Sequence, residues 1–219
     1  MTERPILFSG AMVRAILAGK KTQTRRLVSG ALHTAVSTFE PENCGLWQQV
    51  VAASAQFPVS YGPLVRCPYG GAGGRLWVRE AFALPRALDS VRPGELPVIE
   101  RDVPVWYRAS DGEESLANRG RWRSSLHMPR WASRLTLDVE AVRVERLHAI
   151  TEADAVAEGA TCWSCGGPVD GTSESECHCY HTRAAARDSF AALWDSINST
   201  RAPWADNPYV WVVSFRRSA

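Results

Sequence analysis

The sequence predicts an α+β fold, a small mixed β-barrel with flanking helices, on two observations. Segments of strand character outnumber helical ones, are not consecutive, and lack the strand–helix rhythm that builds a parallel sheet. The clearest strand, Leu135 to Leu147, carries its apolar residues first on odd positions (Leu135, Leu137, Val139) and then on even ones (Val142, Val144), and a switch near Ala141 predicts a bulge or a barrel bend. With 219 residues, 45% hydrophobic, and nine tryptophans, the chain has material for a real core. It reads as one domain over 1–219, with irregular insertions over about 29–66 and 85–103 and a cysteine-rich one over about 160–181.

Taken in order, Pro5 to Ser9 reads as a short strand, after which Ser9 caps a helix over Ala11 to Ala18 that Gly19 ends. Residues 29–66 show no clear period apart from strand character at Trp47 to Ala52. The glycine-rich turn Cys67 to Gly74 leads into Arg75-Leu76-Trp77-Val78-Arg79-Glu80, an alternating strand that puts the Glu80 carboxylate on the face of Leu76 and Val78. No Gly-Lys-Ser/Thr closes the glycine run, so it is not a phosphate loop. Prolines and charges over 85–103 predict an exposed excursion. Val105 to Arg108 reads as a short strand, and Thr151-Glu152-Ala153-Asp154 opens a helix as a capping box that Gly159 ends. Thr182 to Ile197 is a helix with Ala186, Phe190, Leu193, Trp194 and Ile197 at core spacing, and Tyr209 to Phe215 is a closing strand.

A net charge of +2 from 25 basic and 23 acidic residues excludes a global field strong enough to gather nucleic acid, so such binding must come from local clusters. One cluster is Arg121-Trp122-Arg123 to Arg134, where Arg123, His127, Arg130 and Trp131 interleave cations with rings in the manner that meets phosphates and stacks on bases. The other is Lys20 to Arg26. Lys20 and Lys21 are the only lysines, and an amine can lose a proton where a guanidinium cannot, which marks Lys21 for chemistry. No apolar run nears 18 residues and no signal-peptide pattern follows Met1, so the chain is expected to be cytoplasmic with no membrane partner.

Four of six cysteines fall between Cys162 and Cys179. Cys162-x-x-Cys165-Gly, then Cys177-His178-Cys179 after eleven intervening residues, has the composition of one tetrahedral structural zinc site with four thiolates. The Cys-x-Cys spacing is tight, which leaves His178 or His181 as alternative ligands. Cys44 and Cys67 are read as unrelated to the metal.

The blocks Ile16 to Arg26, Gly74 to Glu80, His127 to Arg134 and Trp211 to Phe215 resemble an ASCH-domain protein of the PUA-like superfamily, in the longer form often encoded in phages and prophages. The resemblance implies a β-barrel with a cleft and, from small bacterial members, hydrolysis of N4-acetylcytidine by a lysine, a threonine and a glutamate. Those match Lys21 and Thr24 of the Lys-Thr-x-Thr motif and Glu80. Thr24 would attack the acyl carbon, Lys21 take its proton and Glu80 protonate or orient the leaving nitrogen. Thr22 and Arg26 would hold the oxyanion or substrate. If Lys21 and Thr24 occupy one helical turn they share a face, which leaves Lys20 and Arg25 as surface or phosphate contacts. The chain departs from those enzymes in its length, its cysteine insertion, and Gln23 and Arg25. Other family members bind or cleave RNA, which makes a single-stranded RNA partner for 121–134 the alternative to a nucleoside substrate.

Overall fold

The computed structural model describes residues 3–29, 36–42, 46–51, 60–96, 102–111, 118–161 and 186–218. In chain order the elements are β1 (Glu3–Leu7), α1 (Gly10–Leu17), β2 (Gln23–Leu27), β3 (Val36–Pro41), β4 (Leu46–Val51), β5 (Ser60–Arg66), β6 (Arg75–Arg79) and β7 (Phe82–Ala83). They continue with β8 (Trp106–Tyr107), α2 (Arg108–Asp111), β9 (Thr136–Arg146), α3 (Glu152–Ala157), α4 (Ala186–Asn198) and β10 (Tyr209–Arg217). The fold is mixed α+β, and the chain divides into two compact units. One comprises 1–19, 74–138 and 216–219, and the other 20–73 and 139–215.

In the first unit β1 pairs parallel with β6, from Glu3 opposite Arg75 to Leu7 opposite Arg79, and β6 pairs antiparallel with the start of β9. Helix α1 begins as the sequence predicts: Ser9 accepts a hydrogen bond from the Met12 backbone N–H, and Gly19 takes the positive φ of 70° that ends such a helix. A core of Phe82, Leu84, Leu96, Met128 and Ala132 sits beneath the 3-10 turns Arg86–Leu88, Pro93–Glu95 and Arg130–Ala132. Among the described residues of 85–103 the expected exposed excursion is corrected in part: Arg86, Ala87, Ser90, Arg92, Gly94, Glu95 and Asp102 are exposed as expected. Pro85, Pro93 and Leu96 are buried, because the prolines form tight turns that fold the segment back on that core.

The second unit orders its strands β9-β10-β2 and keeps a separate sheet β3-β4-β5. Strand β10 is apolar on both faces: Val210 and Val212 pack with Phe190 and Trp194 of α4, whereas Tyr209 and Trp211 pack with Phe39 and Trp47. Residues 29–66, expected to be irregular, hold all of β3, β4 and β5. β4 meets the strand character read from Trp47, whereas β3 and β5 were not read; register shifts between Val36 and Thr38 and between Gln48 and Val50 interrupt the two-residue period that would have shown them. In α4, Ala186, Phe190 and Trp194 are buried as expected but Ile197, in the last turn, is 56% exposed.

Among the described residues no closed barrel forms. The first unit's strands end on β1 and the second unit's on β2, each paired on one side only. The parity switch in β9 is real: Leu137 and Val139 are buried, Ala141 is exposed, and Val142 and Val144 pack against the Trp47–Trp211 cluster. It accompanies the passage of the strand from one unit to the next between Asp138 and Val139.

Candidate functional site

Strand β2 pairs antiparallel with β10, placing Gln23 opposite Ser214, Thr24 opposite Val213, Arg25 opposite Val212 and Arg26 opposite Trp211. Opposed residues share a face and successive ones alternate, so Gln23 and Arg25 face one way and Thr24 and Arg26 the other. The first face is a buried charge cluster. Lys21, 2% exposed, donates from Nζ to Gln23 O at 2.8 Å, Glu158 O at 2.7 Å and Glu158 Oε2 at 2.8 Å. Three oxygens meet the three protons of an ammonium. Arg25, whose side chain is wholly buried, reaches Gln23 Oε1 at 2.6 Å, Glu145 Oε1 at 2.5 Å, Asp154 Oδ2 at 3.2 Å and Glu158 Oε1 at 3.3 Å. Arg143, its side chain 41% exposed, pairs with Glu145 and Asp154 at the solvent side of the cluster, so three cations meet three carboxylates.

Burial lowers the Lys21 amine from its ordinary 10.5, and the Glu158 carboxylate opposes that shift. Burial also works against ionisation of Asp154. The Thr151 backbone N–H, with help from the Arg25 and Arg143 charges, outweighs it and holds the carboxyl below its ordinary 3.8.

Two expectations are corrected here. Lys21 and Thr24 do not occupy a helical turn: α1 ends at Leu17, Thr24 lies in β2, and the strand alternation turns the Thr24 side chain away from the face that holds Gln23 and Arg25. Nor is Arg25 a surface contact, since strand pairing with Val212 draws it into the interior. Lys20 and Thr22 are exposed, and Thr22 is fixed through its backbone, donating to Ala157 O and accepting from Phe215 N. Arg26 is half-buried on the Thr24 face.

Glu80 belongs to the first unit and follows β6. It is 1% exposed, and Arg134 clasps it in a two-point pair, Nε to Oε1 at 2.9 Å and Nη2 to Oε2 at 3.0 Å. The Arg134 guanidinium stacks 4.0 Å from the Tyr107 ring, and the Tyr107 hydroxyl donates to Ala132 O at 2.9 Å. Burial pushes that phenol above its ordinary 10.0; the Arg134 charge opposes the shift and the Glu80 charge adds to it.

Residues 121–134 are mostly spent on the fold. Arg123 donates to Val91 O at 3.0 Å and Leu88 O at 2.6 Å with its side chain 8% exposed, Arg130 pairs with Glu3 at 2.6 Å, and Trp131 Nε1 donates to Pro93 O at 3.3 Å. Arg123 through its two Nη atoms and Trp131 through Nε1 thus spend donors inside the fold. Their polar groups face the chain's own carbonyls, while Arg121 and His127 are exposed.

Cys162, Cys165, Cys177, Cys179, His178 and His181 lie outside the described residues. Among the described residues no group of three His, Cys, Asp or Glu side chains suits a metal ion, and Cys67 is buried. No helix among them is long and apolar enough to cross a membrane. Comparison with protein-family models, curated proteins and solved structures finds no match.

Sequence reasoning missed Glu158, Glu145, Asp154 (read only as a cap) and Arg143. Signals for them were present. Glu158 is the C-cap of α3, where a carboxylate meets the negative end of the helix dipole and needs a cation elsewhere. Arg143 and Glu145 alternate along β9 on one face.

Proposed function

We propose that the chain is an ASCH-type, PUA-like amidohydrolase of the cytoplasm, removing the acyl group from an N4-acylated cytosine nucleoside with Lys21 and Thr24 of the second unit. The observation that carries the reading is the buried Lys21–Glu158 pair. A lysine enclosed with a carboxylate is expensive to keep charged, and its amine is pushed down by burial. Passing one proton from Lys21 to Glu158 turns an ion pair into a neutral pair without changing the enclosed charge. The free amine then accepts the Thr24 hydroxyl proton as Thr24 Oγ1 bonds to the acyl carbon, and the proton passes to the departing cytosine nitrogen as the C–N bond breaks. Water releases the acyl group from Thr24. Because Lys21 is held at Glu158 and Thr24 lies on the other strand face, this chemistry requires the lysine to leave Glu158 when substrate binds. Thr22 and Arg26 are substrate contacts in this reading.

Incubation of purified protein with N4-acetylcytidine, followed by chromatography for cytidine and acetate, tests it. Thr24→Val, which keeps the shape of the buried side chain, should abolish turnover, and Thr24→Ser should retain part of it. No turnover by the native chain, or turnover untouched by Thr24→Val and Lys21→Ala, sinks the proposal. A structural zinc on Cys162, Cys165, Cys177 and Cys179 is a separate proposal. Elemental analysis of protein purified without added metal should find about one zinc per chain, and titration of four free thiols in metal-free native protein would overturn it.

A further inference from the structure

The first unit contains a cavity of about 590 Å³, walled by the turn over Val91 to Glu95 and by the segment from Arg121 to His127. Its size falls within the range of about 300–1,000 Å³ usual for small-molecule sites. Arg123 holds the two walls together, its guanidinium spanning to Leu88 O and Val91 O from a side chain that is 8% exposed. The cavity therefore has a fixed frame. Around it stand the exposed cations Arg92 and Arg121 and the exposed imidazole of His127, with Glu95 as the acidic member of the lining, paired to Arg92 at 3.3 Å. Trp122 contributes an indole whose ring is stacked by Arg119 at 4.4 Å. Two buried donors on these lining residues, Trp122 Nε1 and Arg123 Nε, have no acceptor among the described residues.

We propose that this cavity is a nucleotide-phosphate site, taking an aromatic base beside Trp122 and its phosphate at Arg121 and His127. Excess positive charge favours an anion, and the indole favours a planar group, so a ligand carrying both matches the lining better than either alone. The same chemistry reaches the site from a free nucleotide or from the phosphorylated end of an RNA strand. The site lies wholly in the first unit, and it stands independently of the amide hydrolysis assigned to Lys21 and Thr24.

Calorimetric titration of the full chain with four probes tests it: AMP, adenosine, and a tetraribonucleotide with and without a 5′-phosphate. The phosphorylated member of at least one pair should bind about tenfold or more tightly than its unphosphorylated partner, as one charge-assisted contact supplies. Arg121→Ala, at an exposed position, should remove most of that preference, and Trp122→Phe should retain it. Stronger binding of AMP assigns the free nucleotide and stronger binding of the phosphorylated strand assigns the RNA end. Equal binding with and without phosphate, a preference unchanged in both Arg121→Ala and His127→Ala, or no binding by any probe overturns the proposal.

Discussion

Two arginine-rich stretches that look alike in sequence do opposite things in the structure. Around Arg25, strand β2 is laid against a β10 that is apolar on both faces, so its cations are driven inward and must find carboxylates there. Around Arg121 to Arg134, the backbone turns in short 3-10 steps, and the side chains divide between internal carbonyls, a half-exposed clasp on Glu80 and solvent. The difference teaches that an arginine's task follows from what its backbone pairs with. Burying a charge raises the stake of every partner, whereas a charge reached by water loses little when a partner is removed.

The largest expected effect is at Glu158. Glu158→Ala leaves Lys21 and part of Arg25 enclosed without their carboxylate and should lower unfolding stability by about 3–5 kcal/mol, read from urea melts. A loss under about 1 kcal/mol would break the comparison. Next comes Arg134→Ala, which strips Glu80 of its two-point clasp. Since the Arg134 side chain is 26% exposed, water can enter, and the loss should be nearer about 1–3 kcal/mol. Equal losses at the two sites would show that burial does not separate the regions.

The pH dependence sharpens the contrast. Asp154 has a folded value below its ordinary 3.8, so the stability it contributes is present above that value and is lost as pH falls through the lowered one. The urea midpoint should drop over that acid range, less so in Asp154→Asn. Lys21 has the same sign over an alkaline range, but through a penalty relieved rather than a stabilisation gained. Its folded value is below 10.5, so the unfolded chain binds more protons between the two, and the lysine's penalty, full below the folded value, shrinks as pH rises toward 10.5. Lys21→Met should flatten that alkaline rise. The smallest effect belongs to Arg130→Ala: its pair with Glu3 leaves side chains 43% and 32% exposed, and the urea midpoint should stay close to that of the native chain.

Local signals were legible where the chemistry is local. The Ser9 cap, the Gly19 and Gly159 stops, the Thr151–Asp154 capping box, the strand before Glu80 and the core positions Phe190 and Trp194 all follow from neighbours a few residues apart. The strands β3 and β5 on either side of β4 were not legible, because bulges broke their period, and neither was the inward fold of Pro93 and Leu96. Ile197 failed for a related reason: helical spacing names a face, but only packing decides how far along the helix that face is covered.

By itself, then, the sequence determined the mixed α+β class, the helix ends, and the identity of Lys21, Thr24 and Glu80 as residues of interest. Tertiary structure alone decided that Lys21 meets Glu158, a residue 137 positions away, and that Glu80 meets Arg134, 54 positions away. The physical reason is that electrostatic partnership is settled by burial and strand pairing. A carboxylate's need for a cation can be read locally from an unfavourable helix end or an apolar strand face, but which cation arrives depends on which strands lie side by side.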